Sequence, residues 1–471
     1  MGRWLPYRDC FVRVEPEVNP IRPAAAVTTQ QGIRQLLRYR WVVFATVSLD
    51  GALLYFHNTW GATLSGYHTA AWQLDATSLG LLAAVGFFSY ALMQIPGGYL
   101  TDLLGVRRMM TIALGFLAIG TAVFAGAPTF PIAIVGRTLI GASSGVILLP
   151  SLKVLARWFR VREFATVQGI FILLSTGGSL AGTLPLALAA DHWGWRLPLW
   201  TVAALTAIAS ALTWLLLRND PVELALPPLD AIDPEVRPDE ASWPAQRPSL
   251  RRAYQLWSSS PTLWGTSLIF FASFGSSQAF QALWAGPLLR QVRGLSVVET
   301  GGLLLLFTLG TGIGPALAGY ISDRVVHGRK PVVVVSTLGQ MALWILVIST
   351  FERLPLLLLN LAFLALSILG GGVLVAQVMI KDLCPPGEFG TVFGIHNGAG
   401  FYGTAALQMV TGSILNAIGP LSAATESAYS AWAYTLALSP IIGVMLVAAV
   451  MSFRLGETFG SRRNQWPSQI S

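Results

Sequence analysis

Long apolar blocks alternate with short polar ones along most of the chain, and the blocks show no two-residue alternation. Stretches free of Asp, Glu, Lys and Arg cover 76–101, 164–190, 197–217, 300–322, 331–351, 354–380 and 427–453. Each supplies the roughly 20 residues that a helix needs to cross a hydrocarbon core. Two longer stretches, 253–289 and 389–425, each hold one helix plus a loop. The block 109–136 predicts a helix ending near Ala127, before Pro128 and Pro131, because proline breaks a helix interior. Another helix runs from Phe130 to about Trp158, interrupted by Arg137 and Lys153. The first helix covers Trp41 to Asn58 and contains Asp50. The pattern therefore predicts twelve spans in an all-α membrane protein.

Composition narrows the class. Of 471 residues, 54% are hydrophobic and only 11% are charged, against about 25% in a typical soluble domain. That excludes an ordinary soluble enzyme, and the mean hydropathy of +0.61 excludes a disordered chain. A porin-type barrel needs short alternating segments, which are absent. Cys10 and Cys384 are the only cysteines, and His57, His68, His192, His327 and His396 are scattered. Neither set has a metal or redox spacing. GxxxxGK does not occur, so ATP-driven transport lacks its motif. The one GxSxG match, Gly141 to Gly145, lies inside the fourth apolar span and not at a strand-to-helix turn, so hydrolase chemistry lacks its context. The expectation is no enzyme, no metal and no cofactor.

Basic residues predict the topology. With both termini in the cytoplasm, 24 of the 30 Lys and Arg fall inside. Four fall outside (Arg196, Arg290, Arg293, Arg353), and Arg137 and Lys153 lie within the fourth span. This is the positive-inside asymmetry. It accounts for the net charge of +8 through membrane lipids rather than nucleic acid. Residues 1–38 then form a cytoplasmic tail, 39–217 a six-helix bundle and 218–261 a polar linker. A second bundle covers 262–453, and 454–471 a second tail.

The two halves repeat. Gly98-Tyr99-Leu100-Thr101-Asp102 ends the second span, and Gly319-Tyr320-Ile321-Ser322-Asp323 ends the eighth. A glycine and basic residues follow each: Gly105, Arg107 and Arg108, then Arg324, Gly328, Arg329 and Lys330. Glu163 to Ile170 matches Glu388 to Ile395 at six of eight positions. The offsets are 221 and 225 residues, one spacing within a loop insertion.

On these motifs the chain resembles the major facilitator superfamily, whose mark is Gly-x-x-x-Asp-(Arg/Lys)-x-Gly-(Arg/Lys)-(Arg/Lys) after the second and eighth spans. The first copy departs at Leu103, where the family carries a base, and the second has two extra residues before Gly328. The resemblance covers about 40–455. It implies two pseudo-symmetric six-helix bundles and transport by alternating access. It also implies that Asp102 meets the chain near Glu388–Phe389, and Asp323 the chain near Glu163–Phe164, as gating locks at helix amino termini.

Charges inside a membrane are costly and mark function. Asp50 lies about 15 Å up the first span, and Arg137 about 10 Å below the outer end of the fourth. An Asp50–Arg137 pair fits these depths, as a transport element or as a structural ion pair inside one half. Thr46, Asp50 and His57 share a helix face, with His57 expected at the solvated outer interface. His396 and Asn397 lie mid-span in the eleventh helix and Gln278 and Gln281 on the seventh, as solute, proton or interhelical contacts. The exporters' helix-five signature is half present, with Gly169, Gly178 and Gly182 but Thr183 at its proline position. The favoured function is a proton-coupled carrier of a small organic anion, in a bacterial inner membrane. A proton/drug antiporter or a transporter-like sensor is the alternative.

Overall fold

The computed structural model describes residues 30–227, 250–384, 386–420 and 429–459. The tail before residue 30, the linker over 228–249 and the tail beyond 459 lie outside it. Twelve rods follow in order. α1 (Gln30–Trp72), α2 (Ala76–Leu104) and α3 (Val106–Gly126) lead into α4 (Phe130–Ser144, resuming as Leu148–Trp158). Then come α5 (Val161–Ala181, resuming as Leu184–Trp193) and α6 (Arg196–Leu216). The second set begins with α7 (Pro261–Ala279, a π-turn over Phe280–Trp284, then Ala285–Arg293). It continues through α8 (Val297–Tyr320 with a π-turn over Ile321–Val325), α9 (Lys330–Thr350) and α10 (Leu356–Val373, then Val375–Leu383). α11 (Pro386–Ile418) and α12 (Ala431–Arg454) complete it.

Among the described residues, nine helices are long and apolar enough to cross a membrane by length and composition. α1, α7 and α11 fall outside that set. α1 is longer than its apolar pattern predicts: it starts at Gln30 and continues through Gly61 and Gly66 to Trp72. The linker is not wholly irregular: a short helix, Leu250–Ser259, stands before α7.

Each half has its own core. Leu54, Trp60, Leu114, Phe124, Trp158 and Phe171 belong to the first. Phe280, Phe307, Trp344, Phe363, Leu366 and Met445 belong to the second. Outer rods turn apolar side chains away from both cores, as at Leu197, Leu205, Ile208 and Leu215 of α6, where hydrocarbon replaces water as the neighbour.

The halves are joined unevenly. α2 and α11 lie side by side, from Ala76 against Gly412 to Ile95 against Gly394. A Cβ on Gly80 would stand 2.7 Å from the Gln408 carbonyl oxygen, and one on Gly394 would stand 3.6 Å from Ile95. α1 meets α7 near the face opposite the basic loops, where a Cβ on Gly286 would stand 3.7 Å from the Ala62 carbonyl. α8 meets α5 through Leu184–Trp193, the segment nearest that same face. Towards the basic face, Gly169 and Gly177 of α5 and Gly312 and Gly319 of α8 front open space. The halves thus touch near the face opposite the basic loops and part towards the basic face.

Candidate functional site around Arg137

The site begins with two glycines. A Cβ on Gly141 would stand 2.0 Å from the Gly86 carbonyl oxygen, so α4 and α2 touch backbone to backbone. The Cβ missing at Gly86 leaves room for Arg137, whose Nε would lie 2.7 Å from it. The guanidinium can therefore lie across α2 towards α1. Its Nη1 is 3.4 Å from the His57 carbonyl oxygen, and its Cζ is 4.8 Å from the Trp60 ring centroid. Arg137 is only 5% exposed. Among the described residues no carboxylate lies within ion-pair distance of it. A small cavity of about 20 Å³ sits there, lined by Arg137, Trp60, His68, Leu79, Phe124 and Leu283. Leu283 comes from α7, so the second half closes a cavity built by the first.

His68 extends the site beyond what the sequence reading singled out. Its ring stands among Trp60, Trp72, Phe124 and Trp195, at centroid distances of 5.6, 5.6, 5.2 and 5.0 Å. His68 Nε2 and Trp60 Nε1 are buried without a hydrogen-bond partner. The signal was present: Trp60, Leu64, His68 and Trp72 recur every four residues, one helical face. Ending the first span at Asn58 concealed it.

Asp50 is elsewhere. Its carboxyl is fully buried and accepts the Thr213 hydroxyl of α6 at 2.9 and 3.2 Å. The expected Asp50–Arg137 pair is not formed. Arg137 reaches His57, seven residues further along α1 and so about 10 Å higher, and Asp50 turns towards α6. His57 is likewise not at a solvated interface. It is 1% exposed, with Nδ1 2.8 Å from the Leu53 carbonyl and Nε2 2.8 Å from Thr121 Oγ1 of α3. The stripe of Thr46, Asp50 and His57 packs inside the first bundle.

The C-terminal candidates are dispersed. His396 is buried, stacks on Phe270 at 4.6 Å, and has no hydrogen-bond partner at either ring nitrogen. Gln281 donates to Thr308 of α8 at 2.8 Å. Gln278 and Asn397 are half-buried. None of the four lines the Arg137 cavity.

The profile of the Major Facilitator Superfamily matches residues 41–406 and 285–468. The chain belongs to that superfamily. It is an integral, multi-pass membrane transporter. It is 25% identical over 383 residues to the probable galactarate/D-glucarate transporter GarP of Escherichia coli, covering 75% of this chain and 83% of that one. To the hexuronate transporter of Bacillus subtilis it is 25% identical over 368 residues, covering 74% and 82%. Among solved structures, the fold matches an inward-facing, unoccupied bacterial homologue of the human lysosomal transporter Spinster. The TM-score is 0.68 at 19% identity, covering 88% of this chain and 96% of that one.

The superfamily's loop motifs are anchored within their own halves. Gly105 ends α2 with φ of +82°, where a side chain would be strained. Arg107 lies over Trp214 at 4.3 Å, and its backbone N–H donates to Asn219 at 2.8 Å. Arg108 is exposed, and Gly98 packs on Leu149. The Asp102 side chain lies outside the described residues. Asp323 pairs with Arg329 of its own loop, and Arg324 is exposed. Among the described residues Asp323 makes no ion pair with the start of α5, and the contacts of α8 with α5 lie at the other end of the molecule.

Proposed function

We propose that this transporter is a proton-coupled carrier of sugar acids or similar small organic anions. We place it in a bacterial inner membrane with its basic face in the cytoplasm. The observation that carries the reading is Arg137. A buried guanidinium without a carboxylate partner costs free energy unless an anion joins it. Its cavity lies against the second half, where rocking of the halves changes access. Relatives named for galactarate, D-glucarate and hexuronate share the carboxylate chemistry that Arg137 suits. Asp50 is the candidate for the coupling proton: a buried carboxyl in a membrane interior with one hydroxyl partner and, among the described residues, no cation within ion-pair distance. The helix-five glycines do not add support for drug export, because Gly178 and Gly182 serve as contact points for α1.

Uptake of labelled D-glucarate and D-glucuronate into proteoliposomes tests the reading. Arg137→Gln should lower uptake about tenfold or more, since charge-assisted bonds are worth about 1.5–3 kcal/mol, while Arg137→Lys keeps part of it. Wild-type uptake by a folded Arg137→Gln carrier overturns the anion assignment. Asp50→Asn should lose acceleration by an inward pH gradient yet retain solute exchange; an undiminished gradient effect removes Asp50 from coupling.

A further inference from the structure

A second cavity, of about 520 Å³, opens on the face opposite the basic loops, between α1 and α2 of one half and α7 and α12 of the other. That volume lies in the range of about 300–1,000 Å³ typical of small-molecule sites. Leu79 lines both this cavity and the Arg137 cavity. The neighbouring residues Leu283 and Trp284 divide the same way, the first on the Arg137 side and the second on the outer side. A single apolar layer thus separates the two spaces.

The outer cavity carries its own cation. Arg290 is half-buried, and its Nε is 3.4 Å from the Gly286 carbonyl oxygen one turn back. Among the described residues no carboxylate is within ion-pair distance of it. Trp284 is 2% exposed, and its Nε1 has no partner. Asp75 also lines the cavity but is committed to capping α2, accepting the Ser78 N–H at 2.7 Å. Ser65 and Thr69 donate their hydroxyls to carbonyls of their own helix, at 2.9 and 3.0 Å, which leaves lone pairs turned to other donors. The cavity therefore offers a guanidinium for a carboxylate and acceptors for hydroxyl groups.

We propose that this cavity is an outer loading site for a hydroxylated carboxylate, with Arg290 holding the carboxylate. Leu79 and Leu283 form the apolar gate between it and Arg137. The inference rests on the anion reading above. Solute captured at Arg290 passes the Leu79 layer when the halves rock, and the two arginines hand the carboxylate from one to the other.

The test uses D-glucuronate and D-glucarate with right-side-out and inside-out vesicles of the full chain. Arg290→Gln should raise the ratio of outer to inner half-saturation about tenfold, the worth of one charge-assisted contact, and Arg290→Lys should restore part of it. An unchanged ratio overturns the loading site. A separate arm fills the gate with Leu79→Trp in a carrier that also bears Thr69→Cys. Transport should stop, while external D-glucuronate still slows maleimide labelling of the introduced thiol. No protection overturns the site as a place of binding. If Arg137→Gln abolishes transport but Arg290→Gln leaves the ratio untouched, the loading site alone fails. If the wild-type carrier moves neither acid, the anion reading falls and takes the loading site with it.

Discussion

Arg40 of α1 holds Glu163, at the start of α5, across 2.8 Å. The matching acid of the internal repeat, Glu388 at the start of α11, is held by Arg252 at 3.1 Å. Each half thus fastens the amino terminus of its repeat-matched helix to an arginine on the helix leading into its first span. The two arginines differ in burial: the Arg40 side chain is 13% exposed and that of Arg252 is 69%, while Glu163 is 32% and Glu388 9% exposed. A pair with a solvated arginine contributes about 0–1 kcal/mol and is screened by salt. Arg252→Gln should therefore stay within about 1 kcal/mol of wild type, and Arg40→Gln should cost more. Thermal unfolding in detergent at low and high salt checks this; equal losses would mean that burial does not decide the strength.

Asp50 and Arg137 are not partners, so their substitutions should act independently. The combined effect of Asp50→Asn and Arg137→Gln on unfolding should equal the sum of the single effects within about 0.5 kcal/mol. A coupling above about 1 kcal/mol would show a direct pair. Thr213→Val should destabilise by about 1–3 kcal/mol, because it removes the hydroxyl that satisfies a buried carboxyl.

Two glycines of α5 should respond in opposite directions. A Cβ at Gly178 would sit 1.8 Å from the Ala52 carbonyl oxygen, which is backbone and cannot yield. Gly178→Ala should push α1 from α5 and cost about 1–3 kcal/mol. Gly169 fronts open space within the same helix, so Gly169→Ala should be neutral or gain up to about 1 kcal/mol from helix propensity. Melting temperatures of the two purified variants decide the matter.

Glu457 caps α9 from beyond α12. Its carboxylate accepts the backbone N–H groups of Arg329 at 2.9 Å, Lys330 at 3.1 Å, Thr458 at 2.8 Å and Phe459 at 2.9 Å. Burial pushes this acid up, but the four donors outweigh it and hold it below its ordinary value of 4.5. A depressed acid stabilises the fold above its unfolded value, and that stabilisation is lost as pH falls through the folded one. Glu457→Ala should cost about 1 kcal/mol at neutral pH, the worth of a helix cap. The difference from wild type should shrink as the pH drops below 4.5. A difference independent of pH would assign the loss to packing instead.

What one helix can record is legible without the fold. The apolar blocks give the twelve rods, and the matches at Asp102 and Asp323 and at Glu163 and Glu388 give the duplication. The isolated charge at Arg137 marks the one arginine worth following. These signals are local, or are copies of each other, so packing is not needed to read them. Position along a helix also gives depth, about 1.5 Å per residue, which is why Asp50 and Arg137 read as a pair. Depth does not say which neighbour a face meets. Tertiary packing decided that: Gly141 against Gly86 turned Arg137 onto Trp60, and α6 brought Thr213 to Asp50. The loading cavity at Arg290 exists only where four helices from both halves converge, and those contacts join residues more than 200 positions apart. No periodicity spans that distance, so only the folded chain could place them together.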